Sequence, residues 1–472
     1  MSTTTAMPPA RRRLLRLATL VFGLVVWFAP VPEGLTQEAW QLFAIFITTI
    51  FAVIINAMPI LTASVLALAA SILTGTLEPA EAYSGFGSGF ILLIVIAFLI
   101  GRAVVNSGLG ARIAYALIRL FGKTTLGLGY SMVATDILIS PAFPSNTARS
   151  GVLYPIVYSL SNSANSRPDD TRRKMGAYLM MNSMAGLSIS SALWLTAMAA
   201  NPTGAAIAGD MGIEITFLSW LIAASVPCLV AFLLVPYLLY RVFPPETKDT
   251  PEAPREAARQ LAEMGPLSRK EWITAITFVG MVVSWGLSKQ LGTDNTAIAF
   301  LGLAVLLLAD IFTTEDMKSS GDALSTLIWF AALYTLSSYL NKLGFMSFLG
   351  ERLGAGLEGL SWPVVYVSIV TLYVLIHYLF VSQTAQMLAL FGVFVGVAVQ
   401  AGVPPTLIAM MLLFATNFFS VITPQGSSAN VIFASSGYLT QGEVYRTGAI
   451  VTFANLLIFM IIGTPWILMV TN

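Results

Sequence analysis

The chain has 472 residues, 57% of them hydrophobic and only 10% charged, with a formal net charge of +1 and one histidine. A soluble chain of this length needs far more charge, so the composition places the sequence among polytopic α-helical membrane proteins. With no basic face or tail long enough to track phosphates, nucleic acid is excluded as a partner. The single cysteine, Cys228, lies in an apolar run and allows no internal disulfide.

In chain order, Arg11, Arg12, Arg13 and Arg16 precede an apolar run over 17–29. No small-x-small cleavage site follows, so a retained first helix with its basic flank in the cytoplasm is expected. Further apolar segments lie near 38–57, 59–75, 89–106, 174–200, 216–242, 271–290, 295–311, 322–341, 404–422 and 447–470. With the first run they give about eleven transmembrane helices and an outside carboxyl terminus. The two most charged connections, 166–174 and 241–270, then fall on the cytoplasmic side. The second is rich in Pro and Glu and reads as a solvated linker. The expected organisation is a cytoplasmic amino terminus and first helix over 1–37, one repeat over 38–242, a cytoplasmic linker over 243–270 and a second repeat over 271–472.

Two polar stretches stand out inside this apolar sequence: Ser145-Asn146-Thr147, followed by Ala148 and Arg149, and Ser382-Gln383-Thr384. Each is a hydroxyl, amide, hydroxyl triplet. An unsatisfied polar group in lipid costs several kcal/mol, so such side chains should line a cavity or pack against protein. Each triplet follows a short amphipathic piece (110–121 and 348–357) and lies in a region too broken for one spanning helix. The stretches 125–157 and 362–398 are expected to be re-entrant helical hairpins, the first entering from the cytoplasm and the second from outside. A broken helix follows each, around Thr196, Asn201 and Pro202 in the first half and Thr423, Pro424 and Gly426 in the second. Pro removes a backbone donor and Gly loosens the turn, so both helices should unwind there. Inverted repeats whose discontinuous segments meet near the midplane are the architecture of secondary transporters. The two triplets are expected to face each other and hold one anionic solute, because hydroxyls, amides and free N–H groups at helix N-termini supply donors for both ends of a dicarboxylate.

Ser-Asn-Thr in one hairpin, Ser-Gln-Thr in the other, and a Thr-Pro-x-Gly break followed by Ser436-Gly437-Tyr438 resemble the divalent anion/sodium symporter family of di- and tricarboxylate transporters. The string from Pro144 to Arg149, with Tyr154-Pro155-Ile156 after it, is similar to the exchanger branch, which includes citrate/succinate and tartrate/succinate antiporters and plastid oxoglutarate/malate translocators. The resemblance implies a scaffold domain that also forms a homodimer, and a transport domain that moves against it as an elevator. It also implies substrate contact by Ser145, Asn146, Thr147, Ser382, Gln383 and Thr384, with Thr196, Asn201, Pro202, Thr423, Pro424 and Gly426 lining the breaks.

Coupling is where the sequence departs from its relatives. In the sodium-coupled branch, as the resemblance implies, a hydroxyl residue four positions before each triplet Ser helps ligate sodium; here those positions are Pro141 and Tyr378. The Thr423-Pro424-Gln425-Gly426 break, in contrast, is nearer to the symporter pattern. Carrying a dianion inward against roughly 100 mV costs about 4.6 kcal/mol, at about 2.3 kcal/mol per charge, and exchange for another dianion cancels most of that. The favoured function is therefore dicarboxylate/dicarboxylate exchange of C4-dicarboxylates or oxoglutarate, with sodium-coupled symport as the alternative and an anion channel as the reading from another class. No cofactor or metal is called for, sodium entering only with the symporter alternative. The expected partners are dicarboxylate solutes, membrane lipid and a second copy, in a bacterial inner membrane.

Three residues have competing readings. Arg149 either neutralises substrate charge or snorkels or caps a helix. His377, with no Cys, Asp or Glu at ligand spacing, is a packed polar residue or a proton-linked anion contact rather than a metal ligand. Asp136 is read as paired or facing water, with proton coupling left open. An enzyme is not expected: no hydrolase, zincin, P-loop or dinucleotide motif stands in a usable context.

Overall fold

The computed structural model describes residues 8–355, 359–380 and 382–471. Among these residues the fold is helical, and the one strand-like feature is an isolated bridge between Thr124 and Asp249. Eight helices are long and apolar enough to cross a membrane, and two shorter apolar helices, Ile60–Leu73 and Asn295–Leu308, accompany them. Polar caps set several helix starts: Thr36 before Gln37–Ile54, Thr216 before Phe217–Val242, Ser268 before Arg269–Gly286 and Thr440 before Gln441–Ile458 each accept an N–H of the first turn.

After the first helix, Pro9–Trp27, the same order of elements occurs twice. In the first half come Gln37–Ile54, Ile60–Leu73, Gly89–Ser107 and the amphipathic Leu109–Phe121. Next are Thr125–Ile139 and Asn146–Ser163 joined by a short turn, then Gly176–Leu193 and Ala200–Asp210 separated by a break, and finally Phe217–Val242. The second half runs Arg269–Gly286, Asn295–Leu308, Gly321–Lys342 and Phe345–Ala355. It continues with Trp362–Ile376 and Gln383–Gln400, then Pro405–Phe418 and Ser428–Ala434, then Gln441–Ile458. The second amphipathic piece, expected to end at Leu357, ends at Ala355; Gly356 and Leu357 lie outside the described residues, as do Met1–Met7 and Val381.

The broken helices occupy the centre. Every residue from Gly176 to Ala192 and from Leu407 to Phe418 is buried. The first of these is rich in Gly, Ala, Ser and Met, small or adaptable side chains that let neighbouring backbones approach closely. Around them pack the paired helices that carry the triplets, while Gln37–Ile54, Ile60–Leu73, Gly89–Ser107, Asn295–Leu308 and Gly321–Lys342 pack mainly on one another as a second group. The two halves are tied at one end by Tyr438, whose hydroxyl donates to Ser166 O at 2.7 Å, and by Arg172, which forks onto Glu443 at 2.7 and 3.1 Å.

The segment read as a solvated linker differs from expectation. Residues 122–125 and 247–250 are stitched together by backbone and threonine bonds, Thr125 N to Lys248 O at 2.9 Å and Thr250 N to Lys123 O at 2.8 Å. The following helix, Glu252–Glu263, packs against Leu109–Phe121 with Ala257 buried. Its Ala, Glu and Arg residues are strong helix formers, and the i,i+4 pair Arg259–Glu263 at 2.6 Å adds to that preference on the exposed face.

Candidate functional site

Each triplet serine is the N-cap of the helix it opens. Ser145 has extended backbone (φ −133°, ψ 115°) and its Oγ accepts from Ala148 N at 3.2 Å. Ser382 does the same, with φ −147°, ψ 123° and an Ala385 N bond of 3.3 Å. Serine is favoured here because the extended N-cap backbone brings its short hydroxyl to a first-turn N–H. The amide and the second hydroxyl of each triplet then occupy the first helical positions, where backbone N–H groups have no intrahelical acceptor.

The two loops meet. Asn146 Nδ2 lies 3.4 Å from Gln383 Oε1, and Thr147 Oγ1 is hydrogen-bonded to Ser428 Oγ. Between them is a cavity of about 240 Å³ lined by all six triplet residues. Met198 and Ala199, at the start of Ala200–Asp210, also line it; Ala199 N donates to Pro144 O at 2.9 Å, which fixes that helix start against the first loop. Three helix N-termini, those of Asn146–Ser163, Ala200–Asp210 and Gln383–Gln400, therefore open on one small space. Ser427 and Ser428 add hydroxyls, Ser427 Oγ capping the following short helix at Asn430 N. The opposite wall comes from the second group of helices and is largely apolar: Ile60, Phe98, Trp329 and Phe330, with Thr326 the one hydroxyl there.

Among the described residues, no charged side chain lines the cavity. The positive character comes from dipole ends and neutral donors, an arrangement that accepts a small anion without a fixed salt bridge holding it in place.

Arg149 lies directly behind. It is fully buried, one turn below Asn146, so neither snorkelling nor contact with the cavity describes it. Its Nη1 donates to Asp136 Oδ2 at 3.0 Å and to Ser190 Oγ at 2.7 Å; its Nη2 donates to Asn146 Oδ1 at 2.5 Å and to Ser191 Oγ. Asp136 is thus the paired carboxylate, and Ser190 Oγ also hydrogen-bonds to it. With Oδ1 of Asn146 held by the guanidinium, its NH2 group is the part left to face the cavity. Gln383 is fixed the other way, its Nε2 donating to Thr416 O at 2.9 Å and Asn417 O at 3.3 Å, so its carbonyl oxygen faces Asn146.

His377 lies behind the second loop. Its ring stacks on Phe419 at 4.0 Å and sits between two carbonyl oxygens, Gln386 Oε1 at 2.7 Å and Gly426 O at 2.9 Å. Gln386 is itself oriented by its Nε2, which donates to Tyr373 O at 2.7 Å. The ring packs and bonds within the protein and does not line the cavity.

The six break residues named from sequence also lie behind the cavity lining. Thr196 Oγ1 donates to Pro141 O at 2.9 Å. Asn201 donates to Ser191 O and Trp194 O at 2.9 and 3.2 Å and accepts from Asn417 Nδ2 at 2.9 Å, joining the two broken helices. Pro202, in the first turn of Ala200–Asp210, needs no intrahelical N–H bond. Thr423 is buried, and Pro424 follows it at the turn. Gly426 is required by close approach, since a Cβ there would collide with Ser420 O. Met198, Ala199, Ser427 and Ser428 take the lining positions instead. Ser427 carried a signal: like Ser145 and Ser382, it is a serine opening a helix just after a broken turn. The apolar wall carried none, being apolar residues within apolar helices.

Comparison with known proteins gives the family. The family described as "Sodium:sulfate symporter transmembrane region" matches residues 11–472. The candidate malate transporter YflS of Bacillus subtilis (strain 168) is 43% identical over 453 residues, 95% of this chain and 95% of that protein. Dicarboxylate transporter 1, chloroplastic, of Spinacia oleracea is 40% identical over 455 residues, 95% of this chain and 80% of that protein. Among solved structures, the YdaH transporter of Alcanivorax borkumensis superposes with a TM-score of 0.55 at 16% identity, covering 97% of this chain and 96% of that one, a likeness of fold alone. The chain is an integral membrane protein and belongs to the sodium:sulfate symporter transmembrane family, the divalent anion/sodium symporters.

Proposed function

We propose that this chain carries dicarboxylates across a bacterial inner membrane by exchanging one for another. The observation that carries the reading is the single cavity on which both triplets and three helix N-termini converge with no charged side chain in the lining. Relatives named for malate and dicarboxylate transport support the solute class. The carrier reading is also supported by the position of the single histidine: the His377 ring is engaged by Gln386 and Gly426 and does not line the cavity that Ser145 and Ser382 line.

Exchange is favoured because neither position that would supply a sodium hydroxyl does so. Pro141 has none, and its carbonyl already accepts from Thr196 Oγ1; Tyr378 is 45% exposed. The polar half of the cavity belongs to the hairpins and broken helices and the apolar wall to the other helix group, the division that suits an elevator, since an apolar wall lets the carrier slide without breaking hydrogen bonds. In this reading the two repeats are inverted, the amino terminus is cytoplasmic, and the scaffold forms a homodimer. Sodium-coupled symport is the second reading, favoured by Thr423 Oγ1, a buried hydroxyl with no hydrogen-bond partner among the described residues and of the oxygen type a hard cation uses.

Sealed vesicles separate the two. Labelled succinate should enter vesicles preloaded with unlabelled succinate, malate or oxoglutarate, and not empty ones, whether or not sodium is present. Uptake into empty vesicles driven by an inward sodium gradient would replace exchange with symport.

A further inference from the structure

The first helix, Pro9–Trp27, stands outside the doubled order of elements. It packs on Gln37–Ile54, and Ile60–Leu73 packs on the same middle helix. The two outer helices leave a slot of about 560 Å³ between them. Arg16, Gly23 and Trp27 line one wall at helical spacing, and Ala67 and Ala70 line the other.

The slot is apolar for a reason not visible in its composition. It is lined by several threonines, but Thr19, Thr48, Thr49 and Thr74 each donate the hydroxyl to a carbonyl of their own helix, at 3.0, 2.6, 2.8 and 2.7 Å. Their methyl groups are what remains for an occupant. From Arg16 to Phe28 the lining helix rises about 18 Å at about 1.5 Å per residue, comparable to one leaflet of a hydrocarbon core about 30 Å thick.

One end differs sharply. Among the described residues Arg16 is the one charged residue in the lining, and stepping back along the same face by three and four residues reaches Arg13 and Arg12, all three exposed. No Asp or Glu occurs over 1–32 or 39–77. Glu38 opens Gln37–Ile54 at the far end of the slot, where Trp40 Nε1 donates to Val26 O at 3.0 Å, so no carboxylate of these three helices sits at the arginine end. A phosphate matches the guanidinium fork and supplies the missing charge. At the other end the slot is closed by the apolar rings of Trp27 and Phe28.

We propose that this slot holds an acyl chain of one anionic membrane phospholipid, whose phosphate is bound by Arg16 with Arg12 and Arg13. A second copy of this chain fits less well, because it would have to bring a carboxylate to the arginine end.

The purified full chain, stripped of lipid in detergent, can be titrated with phosphatidylglycerol or phosphatidylcholine and the bound lipid counted by native mass spectrometry. Wild type should retain one phosphatidylglycerol about tenfold more tightly than phosphatidylcholine. Ala67→Trp, which fills the slot, should lose that lipid. If this variant fails to fold, Ala70→Leu asks the same question with a smaller intrusion. Replacing Arg12, Arg13 and Arg16 together by Gln should leave binding but abolish the headgroup preference. Equal retention of the two lipids by wild type, or unchanged retention in the slot-filling variant that folds, overturns the proposal. So does a disulfide-linked dimer formed by Leu24→Cys in a Cys228→Ser background, which would make a second copy the occupant.

Discussion

Beneath the first triplet lies a buried ion pair; beneath the second lies an imidazole between two carbonyl oxygens. The tips themselves are near copies, each a serine N-cap followed by an amide and a threonine. Their floors are not. Arg149 and Asp136 bind the first tip to Ser190 and Ser191 of the broken helix, whereas His377 bonds to Gln386 within the second hairpin and to Gly426 in the second break. The loops are alike because both open a helix on the same cavity with a serine cap. The floors are free to differ because the two amides are held differently. Arg149 fixes Asn146 directly, whereas Gln383 is fixed by Thr416 O and Asn417 O and His377 only ties the hairpin to the break behind it.

The difference predicts unequal responses. Arg149→Leu should have the largest effect, because it leaves Asp136 charged and unpartnered in the interior, a cost of about 3–5 kcal/mol. Thermal unfolding in detergent should show a collapse of stability, and Asp136→Asn combined with Arg149→Gln should recover much of it. His377→Leu should cost less, about 1–3 kcal/mol, since it removes the single ring N–H that serves Gln386 Oε1 or Gly426 O and strands no charge. If the two floors are equally sensitive, the contrast drawn here is wrong.

Where the tips are alike, the effects should match. Ser145→Ala and Ser382→Ala should each lower stability by about 1 kcal/mol through loss of the cap, and by similar amounts. The smallest effect is expected at Asp210, at the end of the first broken helix, whose carboxylate accepts from Ser338 Oγ at 2.9 Å and Tyr334 OH at 3.2 Å on the opposing helix group. Asp210→Asn should leave stability nearly unchanged and alter the exchange rate a few-fold, as a contact between a carrier and its wall should. An unchanged rate would place that contact outside the transport cycle.

Much of this was readable before any coordinates. Two of the polar triplets sit at breaks in membrane-length apolar sequence, and a serine before an apolar helical run reports a cap, so the loops and their facing arrangement followed from residue type. The floors did not. Arg149 and Asp136 are thirteen residues apart on helices that meet only after the turn at 140–145 is made, and Ser190 and Ser191 arrive from a third helix. Pairing through space leaves no periodic trace in one sequence. Which residues at the breaks face the cavity was hidden for a related reason: Pro and Gly mark where a helix opens, but hydrogen bonds such as Thr196 Oγ1 to Pro141 O decide which residues of the opening turn inward. The helix Glu252–Glu263 was hidden because its charge suggested solvent more strongly than its Ala and Glu suggested a helix.

The central claim is that the two triplets hold one solute between them. Equilibrium binding of labelled succinate to purified Asn146→Ala and Gln383→Ala tests it most directly, with thermal unfolding measured on the same samples. Losing one donor or acceptor at a buried contact costs about 1–3 kcal/mol, so each variant should bind about 5- to 150-fold more weakly while remaining folded. Wild-type affinity in both folded variants would contradict the claim and move the site elsewhere.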